Sequence, residues 1–194
     1  MSEADLVARS KRGDPEAFGR LIRRYEDRIY RLAHSVCAGL PAEAEDVYQE
    51  TFLTAFKKIS GFRSDADLGT WLYRIASNLC WMRFRDERRR KSVPLPEWTE
   101  GDETSSRAQL SDPSPRPDEA ARKKELAKAV SEALGALPVE YRLALTLRDV
   151  EGLSGEDTAK ALGLSLPAMK SRLHRGRLLL RELLDRRYGG GGDA

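Results

Sequence analysis

Residues 152–184 carry the feature that most constrains the fold of this chain, two short helical segments separated by a tight turn. Ser154 is typical of a helix N-cap, and the acidic residues that follow it suit the positive end of the helix dipole. Gly163 stands where a helix ends in a left-handed residue, and Pro167 is tolerated near the start of the next helix. Ala159 is small enough for a second helix to cross closely. This spacing predicts a helix-turn-helix.

The second helix of this pair divides its side chains between two faces. Apolar residues recur at helical spacing on one face, namely Met169, Leu173, Leu180 and Leu184. The opposite face is polar and basic, and it comprises Lys170, Ser171, Arg172, His174 and Arg175. A face of this kind at the N-terminal end of a helix suits the major groove of DNA. A solvated amphipathic helix is the alternative that the residues leave open.

The net charge of the 194-residue chain is only +3, but the charges are unevenly distributed. Residues 83–91 carry six bases against two acids, and residues 92–120 carry seven acids against two bases. The second stretch is rich in proline, serine and acidic residues, which cannot bury enough apolar area to fold. We therefore expect two small domains over residues 1–92 and 121–188, tethered by a flexible acidic linker over 93–120, with a flexible tail over 189–194.

The hydrophobic periodicity outside the linker is helical, so the predicted fold class is all-α. After a polar N-terminal stretch that turns at residues 13–15, the spacing predicts helices over residues 15–36, 42–60, 71–91, 122–136 and 138–150. The expected inner face of the helix over 122–136 and the residue after it comprises Leu126, Val130, Ala133, Leu134 and Leu137.

The helix over residues 42–60 has an outer face that combines acidic, amide and apolar side chains. This acidic patch consists of Asp46, Gln49, Glu50 and Leu53. Acids at the start of the helix and lysines at its end match the helix dipole, so a solvated face is one interpretation. A mixture of charge, amide and leucine could equally bind a basic partner helix.

The helix over residues 71–91 has an unusual outer face. Its inner face is predicted to hold Leu72, Ile75, Ala76, Leu79 and Met82. The outer face combines basic, polar and aromatic side chains, namely Arg74, Ser77, Asn78, Trp81, Phe84 and Arg85. Aromatic groups beside arginines form a stacking and phosphate-binding surface for single-stranded nucleic acid. Packing of Trp81 on a neighbouring helix is an equally good interpretation, and the basic run over 88–91 suits phosphate contacts or a disordered end.

The residue inventory argues against several classes of function. Cys37 and Cys80 are far apart in the sequence and form no metal-binding spacing with His34 or His174, so reduced core cysteines and no metal or cofactor are expected. No carboxylate cluster or nucleophile–base pair indicates an enzyme. Without a signal peptide or a long apolar run, we expect a cytoplasmic protein with no membrane insertion.

Four motifs occur in a fixed order along the chain: DPEAFGRLIRRYEDRIYRLA, AEDVYQETFLTAFKKISGFR, TWLYRIASN and LPVEYRLALTLRDVEGLSGEDTAKALGLSLPAMKSRLHRGR. Together they resemble the group IV, or extracytoplasmic-function, sigma factors of the sigma-70 family of bacterial RNA polymerase. The resemblance implies a sigma region 2 helical bundle over residues 1–92 and a sigma region 4 helix-turn-helix over 121–188. It also implies that the acidic linker threads the channels of the polymerase.

The resemblance further implies a partner for each surface. The acidic patch, Asp46, Gln49, Glu50 and Leu53, would dock on the β′ clamp helices of core RNA polymerase, and region 4 on the β flap. The upstream promoter element would be read by Lys170, Ser171, Arg172, His174, Arg175 and Arg177. The melted downstream element would be captured by Arg63, Ser64, Asp65, Arg74, Ser77, Asn78, Trp81, Arg85 and Arg88. An anti-sigma factor would cover the same surfaces.

On this interpretation the chain directs core polymerase to specific promoters in a stress or envelope response and has no catalytic step of its own. The polymerase would hold the two tethered domains at a fixed separation, so that their contacts act together through effective concentration. The competing hypothesis is a stand-alone repressor or activator with an N-terminal sensing domain. That hypothesis leaves the acidic patch and the outer face of the helix over 71–91 unexplained.

Overall fold

The computed structural model of the chain describes residues 1–63, 67–90 and 117–188. Within these ranges the regular secondary structure is helical, which confirms the all-α prediction. The helices are α1 (Glu3–Lys11), α2 (Pro15–Ile22), α3 (Glu26–Val36), α4 (Pro41–Lys58), α5 (Leu68–Arg90), α6 (Pro117–Ala136), α7 (Val139–Leu145), α8 (Gly155–Leu162) and α9 (Leu166–Tyr188), with a 3-10 turn over Ile59–Gly61 and a π-helical turn over Thr146–Val150. Residues 93–116 of the predicted linker over 93–120 and the predicted tail over 189–194 lie outside the described residues, and residues 117–120 belong to α6 rather than to a linker.

Helices α1 to α5 form the N-terminal unit, whose first helix the periodicity misses. Residues 1–14 are predicted as a polar stretch and a turn, but Glu3–Lys11 is the helix α1. The Ser2 hydroxyl accepts a hydrogen bond from the Asp5 backbone N–H at 3.1 Å, and the Asp5 carboxylate accepts one from the Ser2 N–H at 3.1 Å. This reciprocal capping satisfies backbone donors at the helix start, and it explains why so polar a segment is helical.

The helix predicted over residues 15–36 is divided into α2 and α3 by a turn at residues 23–25. In that turn the Tyr25 N–H donates to the Ile22 carbonyl at 2.7 Å. The Tyr25 side chain is buried, and its hydroxyl donates to Glu3 of α1 at 2.8 Å. The prediction of one continuous helix is wrong because the apolar spacing persists across the turn, which contains no glycine or proline.

Helices α6 to α9 form the C-terminal unit, and α8 and α9 are the predicted helix-turn-helix. The Ser154 hydroxyl caps α8 by accepting from the Asp157 N–H at 3.0 Å. Gly163 ends α8 with φ +64°, as the left-handed end of a helix requires. In α9 the predicted inner residues Met169 and Leu173 are buried, and Leu180 and Leu184 are half-buried.

Helix α9 also approaches α7 closely at Gly176. A Cβ at this position would lie 3.2 Å from the Tyr141 Cβ and 3.3 Å from the Leu145 Cδ1. The absence of a side chain therefore fixes how closely the two helices pack. On α6 the predicted inner residues Ala133 and Leu134 are buried, but the prediction is wrong at Leu126, which is exposed, because α6 turns Ala129 inward instead.

The N-terminal and C-terminal units pack against each other around a shared apolar core. Helix α5 lies at the contact, since both α7 and α8 pack on it. Four buried residues of the C-terminal unit belong to the same apolar cluster as the core of the N-terminal unit: Val139, Leu143, Leu147 and Ala161. The structure is thus a closed arrangement of the two units.

The predicted faces of α5 are wrong at several residues, and the contact with the C-terminal unit explains the burial of Phe84. Met82, predicted to point inward, is 61% exposed, and Phe84, predicted to point outward, is buried. The C-terminal unit covers the side of α5 on which Phe84 lies, so the buried surface extends beyond the stripe that the periodicity indicates. Cys37 and Cys80 are free and buried, as predicted.

The left-handed backbone at Gly163 gives a direct test of the turn. We expect Gly163→Ala to lower the free energy of unfolding by about 1 kcal/mol, because an alanine resists positive φ. Gly19→Ala is the matched control, since Gly19 lies within α2 and a Cβ at either glycine meets nothing within 4 Å. The control should raise stability by up to about 1 kcal/mol. Urea unfolding followed by circular dichroism measures both, and effects of the same sign would contradict this account.

Candidate nucleic-acid and partner interfaces

Helix α9 presents a basic face to solvent over its first half. Lys170, Ser171, His174 and Arg175 are exposed, and Arg172 is half-exposed. Met169 and Leu173 hold the opposite face in the core of the C-terminal unit, with 1% and 7% of their surfaces exposed. Because the inner face is fixed by packing, the outer side chains project from a rigid helix. This geometry fits insertion into a DNA major groove.

Arg177, the last residue of the predicted reading set, is held by an ion pair. Its guanidinium donates to both carboxylate oxygens of Asp149, through Nε at 3.0 Å and through Nη2 at 2.6 Å. These hydrogen bonds raise the pKa of Arg177 above its usual value. The guanidinium is therefore oriented by the π-helical turn before α8, and a phosphate would have to compete with Asp149 for it.

The predicted acidic patch lies on the exposed face of α4. Asp46, Gln49 and Glu50 are exposed, and Leu53 is 61% exposed. The Gln49 amide donates to Glu45 on the same helix at 2.8 Å. A surface with an exposed leucine among carboxylates is suited to a basic amphipathic partner.

One residue that the sequence reasoning does not assign to the patch is Arg83 of α5. Its guanidinium pairs with Glu43, with Asp46 at 3.2 Å and with Glu50 at 3.5 Å. These hydrogen bonds and charges raise the pKa of Arg83. The sequence places Arg83 in a basic run, and only the packing of α5 on α4 reveals its acidic partners. The negative charge of the acidic patch is therefore partly neutralised by an arginine side chain of the same protein.

The outer face of α5 is only in part exposed. Arg74, Asn78 and Arg85 face solvent, whereas Trp81 is half-buried and packs against the apolar core. Ser77 is 3% exposed, and its hydroxyl has no hydrogen-bond partner among the described residues. The arginines of this face are therefore accessible to solvent, whereas Ser77 is buried.

The segment before α5 contributes fewer described residues to this surface. Arg63 is exposed, while Phe62 is buried and lies 5.1 Å from the Trp71 ring. Asp67 accepts a hydrogen bond from the Thr70 N–H at 3.2 Å at the start of α5. Ser64 and Asp65 lie outside the described residues, as does the side chain of Arg88.

A surface hollow of about 320 Å³ lies where this segment meets α1. Its walls include Glu3, Val7 and Lys11 on one side and Phe62 and Asp67 on the other. The Lys11 ammonium stands 5.5 Å from the centre of the Phe62 ring, in cation–π range. An aromatic ring beside a cation and hydrogen-bonding groups can accommodate a planar polar ring such as a nucleobase.

Among residues 1–63, 67–90 and 117–188, no group of three or more histidine, cysteine, aspartate or glutamate side chains is arranged to hold a metal ion. In the same ranges, no helix is both long enough and apolar enough to cross a bilayer.

Comparison with known proteins assigns the chain to a family. Residues 21–90 match Sigma-70 region 2, and residues 127–180 match Sigma-70, region 4. The ECF RNA polymerase sigma factor SigM of Mycobacterium tuberculosis is 37% identical over 183 residues, which cover 94% of this chain and 85% of SigM. The chain belongs to the extracytoplasmic-function sigma factors of RNA polymerase, as the resemblance predicts.

Two other similar proteins extend this comparison. ECF RNA polymerase sigma factor SigE of Mycolicibacterium smegmatis is 37% identical over 164 residues, and the match covers 84% of this chain but only 60% of SigE. Among solved structures, the sigma factor RpoE in complex with the anti-sigma factor NepR from Bartonella quintana is similar, with 25% sequence identity and a TM-score of 0.61. That likeness covers 87% of this chain and 96% of RpoE.

The ion pair at Arg177 gives a testable prediction about DNA affinity. We expect Asp149→Asn to tighten binding of the full chain to duplex DNA and to steepen its salt dependence by about one unit, because the freed guanidinium gains a phosphate contact. Fluorescence anisotropy across a salt series measures both quantities. The same substitution in an Arg177→Ala background is the control, and a gain of equal size there would mean that the lost carboxylate charge acts alone.

Proposed function

We propose that this sigma factor directs core RNA polymerase to promoters by contacting two separate promoter elements with its two units. The observation that carries the proposal is the basic face of α9, which projects from a capped and packed helix-turn-helix. The exposed Arg74, Asn78 and Arg85 of α5, beside the half-buried Trp81, support a second, single-stranded contact. The polymerase supplies the chemistry of transcription, and the chain itself is not an enzyme.

The upstream element is assigned to the first half of α9. Lys170, Ser171, His174 and Arg175 would reach base edges or phosphates, with Arg172 at the rim of this face. Arg177 would contribute to phosphate binding once it exchanges Asp149 for a phosphate. Domain boundaries of 1–92 and 121–188 for regions 2 and 4 form part of this proposal.

The melted downstream element is assigned to α5 and the segment before it. Arg74 and Arg85 would bind phosphates, Asn78 would hydrogen-bond a base, and Trp81 would offer one edge for stacking. The hollow between α1 and the segment at Phe62 is large enough for one unstacked base. Arg63, Ser64, Asp65, Ser77 and Arg88 complete the proposed set.

Core polymerase is assigned to the acidic patch of Asp46, Gln49, Glu50 and Leu53, which would dock on the β′ clamp helices. The C-terminal unit would bind the β flap. Because a sigma factor works with RNA polymerase, the chain would act in the cytoplasm, with no cofactor. The similar RpoE structure contains an anti-sigma factor, and by analogy we propose that an anti-sigma factor restrains this chain during a stress or envelope response.

In vitro transcription with core polymerase from the same bacterium tests the proposal. The expected result is initiation from a defined subset of promoters only when the chain is present. Failure to bind core polymerase, together with dimeric binding to palindromic DNA, would instead support a stand-alone regulator.

The assignment of α9 predicts that Arg175→Ala weakens recognition of the upstream element, by an amount on the order of 1–3 kcal/mol if the guanidinium contacts a guanine. Core binding should stay unchanged, because Arg175 lies far from the acidic patch in the sequence and on another helix. Arg181→Ala is the matched control, since Arg181 is 80% exposed on the same helix and pairs locally with Asp185. Electrophoretic mobility shifts with holoenzyme and a core pull-down measure the two effects, and equal losses in both assays would refute the assignment.

Because Arg83 neutralises part of the acidic patch, we expect Arg83→Ala to speed association with core polymerase several-fold at low salt. Removal of the guanidinium frees Glu43, Asp46 and Glu50 and makes the patch more negative, which steers a basic partner. The gain should shrink above about 0.3 M salt as screening grows. Biolayer interferometry gives the association rates. Arg85→Ala, an exposed arginine on the same helix, should leave them unchanged, and slower association of Arg83→Ala would show that Arg83 orders the carboxylates for the partner.

A further inference from the structure

We infer that Cys37 and Cys80 form an oxidation site inside the N-terminal unit, at which hydrogen peroxide converts the two thiols into a disulfide that joins α3 to α5. The inference goes beyond the proposed function, because none of the surfaces assigned to DNA or to polymerase includes either cysteine. The site makes the chain itself responsive to peroxide.

The two cysteines are distant in the sequence and meet through the packing of α3 on α5. Cys37 caps the C-terminal end of α3, and Cys80 lies in the middle of α5. Both side chains belong to the apolar core of the N-terminal unit, with 1% and 0% of their surfaces exposed. Their thiols interact directly through a side-chain hydrogen bond. They are also the only two cysteines of the 194-residue sequence, so each has the other as its one possible disulfide partner within the chain.

The hydrogen bond makes the two thiols chemically different. The Cys80 thiol donates to the Cys37 sulfur, which lowers the pKa of Cys37 and raises the pKa of Cys80. The positive charges of Arg142 and Arg83 also favour the anionic form of Cys37, whereas burial and the carboxylate of Glu43 oppose it. The thiolate is the form of cysteine that attacks an oxidant. Cys37 is therefore the attacking residue, and Cys80 completes the disulfide.

Cys37 lies at a part of the core that local motion can open. Its N–H still donates to the Ala33 carbonyl at 2.8 Å, but the chain then turns through residues 38–40, where Gly39 is exposed and has φ +82°. Helix ends and the turns that follow them open at a lower free-energy cost than helix interiors. Hydrogen peroxide is little larger than water, so opening of this turn admits it to Cys37. Cys80 is less accessible, because it lies about three turns from either end of α5.

The reaction has two steps and consumes one molecule of hydrogen peroxide. In the first step the Cys37 thiolate attacks one peroxide oxygen and the O–O bond breaks. The second oxygen leaves as hydroxide and takes up the proton that the Cys37 thiol released, which gives water and a sulfenic acid at Cys37.

In the second step the Cys80 sulfur attacks the Cys37 sulfur and the S–O bond breaks. The hydroxyl group leaves as a second water, with the proton of the Cys80 thiol. The two sulfurs lose two electrons in total, and the peroxide gains them. Two thiols and one peroxide thus give one disulfide and two waters.

The disulfide closes a loop that contains the whole of α4. A cross-link of this kind stabilises a protein mainly by restricting its unfolded chain. Because the two sulfurs already face each other in the native packing, the bond requires no rearrangement of α3 and α5. We therefore expect the oxidised chain to unfold at a higher urea concentration than the reduced chain.

The full chain tests the inference by treatment of the reduced, folded protein with hydrogen peroxide, removal of the peroxide with catalase, and labelling with N-ethylmaleimide in urea. The reduced chain should take up two maleimides and the oxidised chain none. A tryptic digest of the oxidised monomer should contain the Cys37 and Cys80 peptides joined by a disulfide, and dithiothreitol should restore both thiols. Met82, which is 61% exposed, is the internal control, because its conversion to the sulfoxide shows that the peroxide has acted.

Single substitutions separate the roles of the two cysteines. Cys80→Ala should stop the reaction at the sulfenic acid of Cys37, which dimedone labels. Cys37→Ala should give little labelling, because Cys80 lies inside α5. Each variant removes one sulfur from the same core, so each is the matched control for the other, with helix content checked by circular dichroism. Equal dimedone labelling of the two variants would refute the assigned roles.

Three results with the wild-type chain would overturn the inference, and none of them depends on either variant. The first is uptake of two maleimides by a chain whose Met82 has been oxidised. The second is the formation of disulfides only between chains, seen as dimers on a non-reducing gel. The third is an intramolecular disulfide that leaves the urea midpoint unchanged or lowers it, since the native packing would then not hold the two sulfurs ready for bonding.

Discussion

Burial of helix α5 from several sides is the interaction on which the rest of the structure depends. Leu72, Ala76 and Leu79 pack into the N-terminal unit, as an ordinary amphipathic helix would. On a second side, Phe84 lies beneath the Arg142 guanidinium of the C-terminal unit, and the Tyr73 hydroxyl donates to the buried Glu151 carboxylate of that unit. A helix covered in this way is part of two cores at once. The position of the unit that contains α9 is consequently linked to the packing of a helix in the other half of the chain.

Charged residues in this molecule frequently have partners within the chain, and the cost of separating them differs from place to place. Arg83 with its three carboxylates and Arg177 with Asp149 are partly exposed pairs, which contribute little to stability in water. Their main effect is on how readily those groups meet another molecule. Glu151 belongs to a different class, because burial removes the water that would otherwise solvate its charge.

The features that could be predicted from the sequence are those encoded by neighbouring residues. Ser154 and Gly163 mark the ends of α8 by local chemistry, so the helix-turn-helix and the faces of α9 follow directly. The division at Tyr25 could not be predicted, because no glycine or proline marks it and a distant contact with Glu3 stabilises it. The capping of α1 by Ser2 and Asp5 was a readable local signal that apolar periodicity alone overlooks.

The features of the candidate site also fall into two groups, those encoded by neighbouring residues and those that depend on distant contacts. The exposure of Asp46 and Leu53 on α4 follows from helical spacing, whereas the pairing of Arg83 with the acidic patch depends on residues more than thirty positions apart. Likewise, Ser77 is only 3% exposed, although a single helical wheel places it on the outer face. The features that could not be predicted from the sequence are those set by packing between distant helices, and not those set by helix propensity.

The close approach at Gly176 has a consequence for how such proteins can diversify. Since α9 meets α7 at a glycine, and Met169 and Leu173 are buried in the core of the unit, the geometry of its inward side is fixed. The outward side of α9 is exposed, so packing does not fix which side chains it carries. On the proposed function, new target sequences would be acquired by exchanging exposed side chains such as Lys170 or His174, while the packing of α9 on the rest of the unit stays the same.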